Sequence, residues 1–145
     1  MNSFFRRALG ILAGTGALLA LTAGPALAAD NTFSLAAGKA TAYGTYDRMM
    51  SIPERPVPPV AVNGTLAMNG RNQCAVVQIS YNGPADGIEW RTLNSLCRPG
   101  KTNFAARSEL LWGGGQPELR LCSGNTVKRA EQGRSCGSFS PAANR

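Results

Sequence analysis

Four cysteines, Cys74, Cys97, Cys122 and Cys136, are the strongest constraint on what this chain can become. The gaps between them hold 22, 24 and 13 residues, so none has the C-x-x-C spacing of a zinc knuckle or a thiol–disulfide exchange site. An even number of widely spaced cysteines in an oxidising compartment reads as two disulfides. The compartment is argued from residues 1–28. Arg6 and Arg7 form a basic start, 8–23 is an uncharged apolar run, and Gly24-Pro25 breaks it. Ala26-Leu27-Ala28 then supplies a small-x-small cleavage site before Ala29. The run falls short of the ~20 apolar residues of a membrane span and is diluted by Gly10, Gly14 and Gly16. The expectation is a secretory signal peptide over 1–28, cleaved between Ala28 and Ala29. A single β-sandwich domain over 29–145 follows, exported, with no membrane span after signal removal.

Cleavage leaves 117 of the 145 residues, a length that buries roughly 65% of its unfolded surface in one core. Charged residues make up only 16%, with 17 glycines and 9 prolines, which favours turn-rich β structure over a helical bundle. Val60, Val62, Gly64, Leu66 and Met68 alternate with Ala61, Asn63, Thr65 and Ala67, the period of a half-buried strand. Asn69-Gly70 follows and predicts a two-residue hairpin turn. That turn sets Met68 opposite Arg71, Gly64 opposite Ala75, Val62 opposite Val77 and Val60 opposite Ile79. Apolar then meets apolar at three successive positions.

Past the turn at Asn82-Gly83-Pro84, Ile88, Trp90 and Thr92 alternate with Glu89 and Arg91. Setting Cys74 across from Cys97 places Ile79 opposite Thr92 and Tyr81 opposite Trp90, with Trp90 in the core. Leu119 and Leu121 alternate with Glu118, Arg120 and Cys122, so Cys122 also sits in the polar phase. An immunoglobulin-type bridge from Cys74 to Cys122 needs both cysteines in the core, and Arg120 stands where such a domain carries its corner tyrosine. Phase therefore selects Cys74–Cys97 and Cys122–Cys136. The expected fold is all-β, a small antiparallel β-sandwich stapled by two disulfides.

The remaining segments are weaker signals. Residues 32–35 and 40–46 read as strands. Pro53, Pro56, Pro58 and Pro59 turn 52–60 into an extended surface connector, with a partner-binding loop as the alternative. Residues 104–112 fit a strand or a short helix, and Phe139 closes a last short strand. Gly113-Gly114-Gly115-Gln116-Pro117, beside Trp112, is a loop that lacks the Lys-Ser/Thr of a phosphate cradle.

Chemistry has few carriers. The chain has no histidine, which removes Ser-His-Asp and Cys-His catalysis and every imidazole-ligated metal. Among eight acids, only Asp86 and Glu89 beside Trp90 could be drawn as a sugar-cleaving pair, and Glu89 is more simply the solvent phase of a strand. No calcium loop and no G-x-S-x-G occurs. The expectation is a protein that is not an enzyme, with no catalytic residue, no cofactor and no metal.

The formal charge is +7, or +5 without Arg6 and Arg7, and the cations are scattered with no run longer than Lys128-Arg129. A nucleic-acid reader concentrates them in a stripe. The expected partner is instead an anionic cell-wall polymer or polysaccharide, and no nucleic acid. The signal peptide, the spaced cysteines, Leu119-Arg120-Leu121-Cys122 and Ser135-Cys136-Gly137 resemble small secreted actinobacterial β-sandwich proteins of unassigned function. The resemblance implies export and fold alone. The functional expectation is a small secreted non-catalytic protein, an extracellular or cell-envelope-associated binding module. The alternative is a secreted protease inhibitor presenting Arg98-Pro99-Gly100-Lys101 just past Cys97, although Pro99 opposes cleavage after Arg98.

Overall fold

The computed structural model describes residues 31–50, 58–82, 84, 87–108 and 116–141. Within them, β1 (Thr32–Ala37), β2 (Ala40–Arg48), β3 (Val60–Met68) and β6 (Gly100–Arg107) form one sheet in the order β1-β2-β3-β6. A second sheet takes β4 (Cys74–Asn82), β5 (Ile88–Leu96), β7 (Leu119–Gly124) and β8 (Cys136–Phe139) in the order β5-β4-β7-β8. Every pairing is antiparallel. The fold is an all-β two-sheet sandwich, and both disulfides form as phase selects them, Cys74–Cys97 and Cys122–Cys136.

The Asn69-Gly70 hairpin does not form. β3 is flanked by β2 and β6, so both its edges are taken, and β4 lies in the other sheet. The connection runs over five residues, 69–73, and its left-handed residue is Asn72 at φ 61°, not Gly70. Asn69 spends its N–H on the Lys39 carbonyl at 3.1 Å. The apolar match between the two strands is nonetheless real. Val60, Val62, Leu66 and Met68 share one core with Ala75, Val77 and Ile79. The match operates face to face across the sandwich, not side by side along a ladder.

The β4–β5 register holds from Ala75↔Leu96 through Val77↔Asn94, then slips by one between Val77 and Gln78. Leu93 is the extra residue of this bulge. Below it the pairs become Gln78↔Thr92, Ile79↔Arg91, Ser80↔Trp90 and Tyr81↔Glu89. A one-residue slip turns side chains to the other face, so Trp90 leaves the core and stands half-buried on the outer face. The core gets its rings elsewhere. Phe33 lies 6.2 Å from Phe104 and 5.8 Å from Phe139, and Tyr46 adds a contact at 5.2 Å to Phe139.

Both disulfides lie in the outward phase of the second sheet, yet Cys122 is fully buried. A short helix, α1 (Val127–Glu131), explains this by covering Cys122 and Val76 with Ala130 and Val127. Thr126 caps it, its Oγ1 accepting from the Arg129 N–H at 3.2 Å. Five residues are too few to persist alone, so packing on the sheet holds the helix in place.

Candidate functional site

Strand direction gathers charge that looks scattered along the chain. Because all pairings are antiparallel, the β1–β2 turn, the 69–73 connection and the β5–β6 turn emerge at one end of the sandwich. They bring Lys39, Arg71, Arg98 and Lys101 there, each exposed. The Lys39 N–H donates to Gln73 Oε1 at 3.1 Å, and with the Asn69–Lys39 bond this ties the first two connections together. β7 ends at the same end, Gly124 beside Cys74, and leads into α1 with exposed Lys128 and Arg129. Among the described residues, no carboxylate lies in these connections. Asp47 and Glu89 sit at the opposite ends of β2 and β5, and Glu118 precedes β7. Glu131 closes α1 and accepts from the Thr92 hydroxyl at 2.9 Å. Cations without interleaved acids produce a positive field over that end.

The outer face of β1-β2-β3-β6 is chemically different. Cross-strand ranks read Thr32, Thr45, Asn63, Ala105 and then Ser34, Tyr43, Thr65, Asn103, with no charge in either. Tyr43 is 42% exposed. Thr65 donates to Asn103 Oδ1 at 3.0 Å. Between these side chains lies an open depression of about 400 Å³, lined by Tyr43, Thr45, Asn63, Thr65 and Asn103 over Gly44 and Gly64. Gly44 and Gly64 are partners in the ladder. A Cβ on Gly64 would stand 2.7 Å from the Phe104 ring and 2.9 Å from Phe33, and one on Gly44 would strike the Asn63 backbone. The two glycines therefore leave room on the core side for the Phe33 and Phe104 rings, which come from the edge strands of this same sheet.

On the outer face of the other sheet, Arg120 Nε donates to Gln78 Oε1 at 2.9 Å while the guanidinium stacks 3.7 Å from the Trp90 ring. Gln78 Nε2 in turn donates to Thr92 at 3.2 Å. Burial pulls the Arg120 guanidinium below its ordinary value, and the charge of Glu118 opposes it. These contacts occupy Arg120, whose Nη2 also donates to the Glu131 carbonyl at 3.5 Å, where α1 ends. Nearby, Tyr81 donates to Glu89 at 2.6 Å, which holds its phenol above the ordinary 10.0.

The structure places the sequence-derived candidates as follows. The four cysteines are all in disulfides. Arg98 and Pro99 form the exposed β5–β6 turn, while Gly100 and Lys101 begin β6. The Ala28/Ala29 cleavage site, Asp86, Trp112 and the 52–57 part of the proline connector lie outside the described residues, while Pro58 and Pro59 lead directly into β3 at Val60. Glu89 is joined to Tyr81, not to a second acid. The sequence reading missed the neutral face, although its signal is present. The outward phases 41-43-45, 63-65 and 103-105 are free of charge in a chain this basic. Among the described residues, no helix is long and apolar enough to cross a membrane. No family model, no curated protein and no solved structure matches this chain.

Proposed function

We propose that this chain is a secreted, non-catalytic binding module that associates with anionic polymer of the cell envelope through its basic end. The convergence of Lys39, Arg71, Arg98 and Lys101 on one end, with no acid among the described residues of the three connections there, carries the reading. Two disulfides are compatible with an oxidising extracellular setting. Exposed charges 4 Å apart in water gain only about 1 kcal/mol per pair, so the association is weak, multivalent and salt-sensitive. Screening shortens its reach to about 10 Å at 0.1 M salt.

Co-sedimentation with purified cell wall at low and high salt tests this. Binding should fade as salt rises, and the double variant Arg71→Glu/Arg98→Glu should lose it. Arg48→Glu/Arg107→Glu, at the other end, should retain most of it. Equal losses from both pairs, or tight binding indifferent to salt, would reject the reading. The exposed Arg98 beside the Cys74–Cys97 staple supports a second reading, protease inhibition. Tight inhibition of a trypsin-like protease that Arg98→Ala removes would put it first.

A further inference from the structure

We infer that the uncharged centre of the outer face of β1-β2-β3-β6, bordered by Lys101 on the side of the basic end, is a docking platform for a neutral polysaccharide that does not depend on that end's charge. Tyr43 is the ring on which a sugar stacks, and Asn63 and Asn103 are the hydrogen-bonding arms. Three observations converge. The first is charge. In a chain of formal charge +7, the two central ranks of this face carry none. A polyanion finds nothing there to neutralise, and a neutral polymer loses no charge solvation by lying down.

The second is composition. Protein interfaces place an apolar, aromatic-rich core inside a polar rim. This face has hydroxyls and amides at its centre with one exposed ring, which disfavours a lipid surface and an apolar-cored protein interface. The third is unspent valence. The side chains of Tyr43, Thr45 and Asn63 have no hydrogen-bond partner among the described residues. Asn103 accepts from Thr65 through Oδ1, leaving its amide nitrogen as a donor. Sugar hydroxyls both donate and accept, and they match such a set.

The depression gives these groups a place to act together. Two facing glycines are unfavourable in strand interiors and mark close approach of backbone or ligand. Here that close approach is on the core side, where the Phe33 and Phe104 rings of the same sheet's edge strands fold in beneath the two glycines. On the outer side, Tyr43, Thr45, Asn63 and Asn103 rim a shallow concavity of about 400 Å³ that is open to solvent. A single sugar unit of a longer chain fits that scale, with the rest running along the ranks.

The test is depletion of the full chain from solution by insoluble neutral polysaccharides, namely microcrystalline cellulose, chitin and cross-linked dextran. At least one should deplete it equally at low and high salt. Tyr43→Ala should weaken that binding by about two- to tenfold, the range for loss of one stacked ring. Tyr43→Phe, which keeps the ring, should retain it, and so should Arg71→Glu/Arg98→Glu. Circular dichroism and disulfide mapping verify that each variant folds. No depletion by any of the three polymers overturns the proposal. So does depletion that Tyr43→Ala leaves unchanged, and so does depletion that fades with salt, which would belong to the basic end. Self-association in sedimentation velocity, lost in Tyr43→Ala without any polysaccharide binding, would assign the face to a second copy of this chain instead.

Discussion

The Arg120 guanidinium touches two groups that water reaches poorly, the Gln78 amide, 3% exposed, and the half-buried Trp90 ring. Arg120→Met keeps much of the stem's volume but leaves Gln78 Oε1 with only a weak contact to Cys122 Sγ at 4.0 Å. The expected cost is about 1–3 kcal/mol, the range for stranding a buried polar acceptor together with a lost cation–ring contact. A urea titration measures it, and the Trp90 fluorescence should shift as the cation leaves. Tyr81 makes a second prediction through its bond to Glu89. Its phenol is raised from 10.0 by that hydrogen bond first, with desolvation and the carboxylate's charge adding and Arg91 opposing. A raised native value means the contribution is whole below about pH 10, the unfolded value. It is lost as pH climbs from there through the native value. Ultraviolet difference titration of wild type against Tyr81→Phe should place this phenol above free tyrosine, and Glu89→Gln should bring it down.

At the scale of elements, the two staples and one cap can be ranked. Each disulfide closes a local loop, with sequence separations of 23 and 14, and contributes about 3 kcal/mol on the chain-entropy model. Replacing Cys122 and Cys136 by alanine should cost more than that figure, because Cys122 is also buried under α1. Thr126→Ala, by contrast, should cost about 1 kcal/mol by removing the acceptor for the Arg129 N–H. Chemical denaturation of the three proteins orders them.

The same elements set the limit of what sequence pattern reveals. Alternation is a local property of a strand, so it identified which residues of β3, β4 and β7 face inward and which cysteines could meet. It is silent on whether two apolar faces lie beside each other or opposite each other. That is where the Asn69-Gly70 hairpin failed. The slip at Leu93 is not written in the alternation either, and it moved Trp90 to the other side of its sheet. α1 escaped because Val127–Glu131 is shorter than two helical turns and owes its existence to Val76 and Cys122 beneath it. The candidate sites suffered more. Lys39, Arg71, Arg98 and Lys101 are neighbours only through the order in which strands turn back.

For the whole molecule, separation of charge along the strand direction has a mechanical consequence. Among the described residues the sandwich carries an electric dipole, positive where the 69–73 connection emerges, with its long axis set by nine-residue strands. A dipole near a charged plane feels a torque as well as a pull, so the molecule should approach an anionic surface already aligned and come to rest standing. At ~3.3 Å per residue the strands are about 30 Å long, against sheets stacked about 10 Å apart. Neutron reflectivity on an anionic supported layer should therefore find a film about 30 Å thick or slightly more, thinning toward the lateral dimension in Arg71→Glu/Arg98→Glu. Standing molecules also pack more densely than lying ones, and each turns its Tyr43 flank sideways, parallel to the surface normal. A coat formed in this way would hold rows of vertical neutral walls between its anchors, and a polymer strand threading among them would meet the same flank at every step.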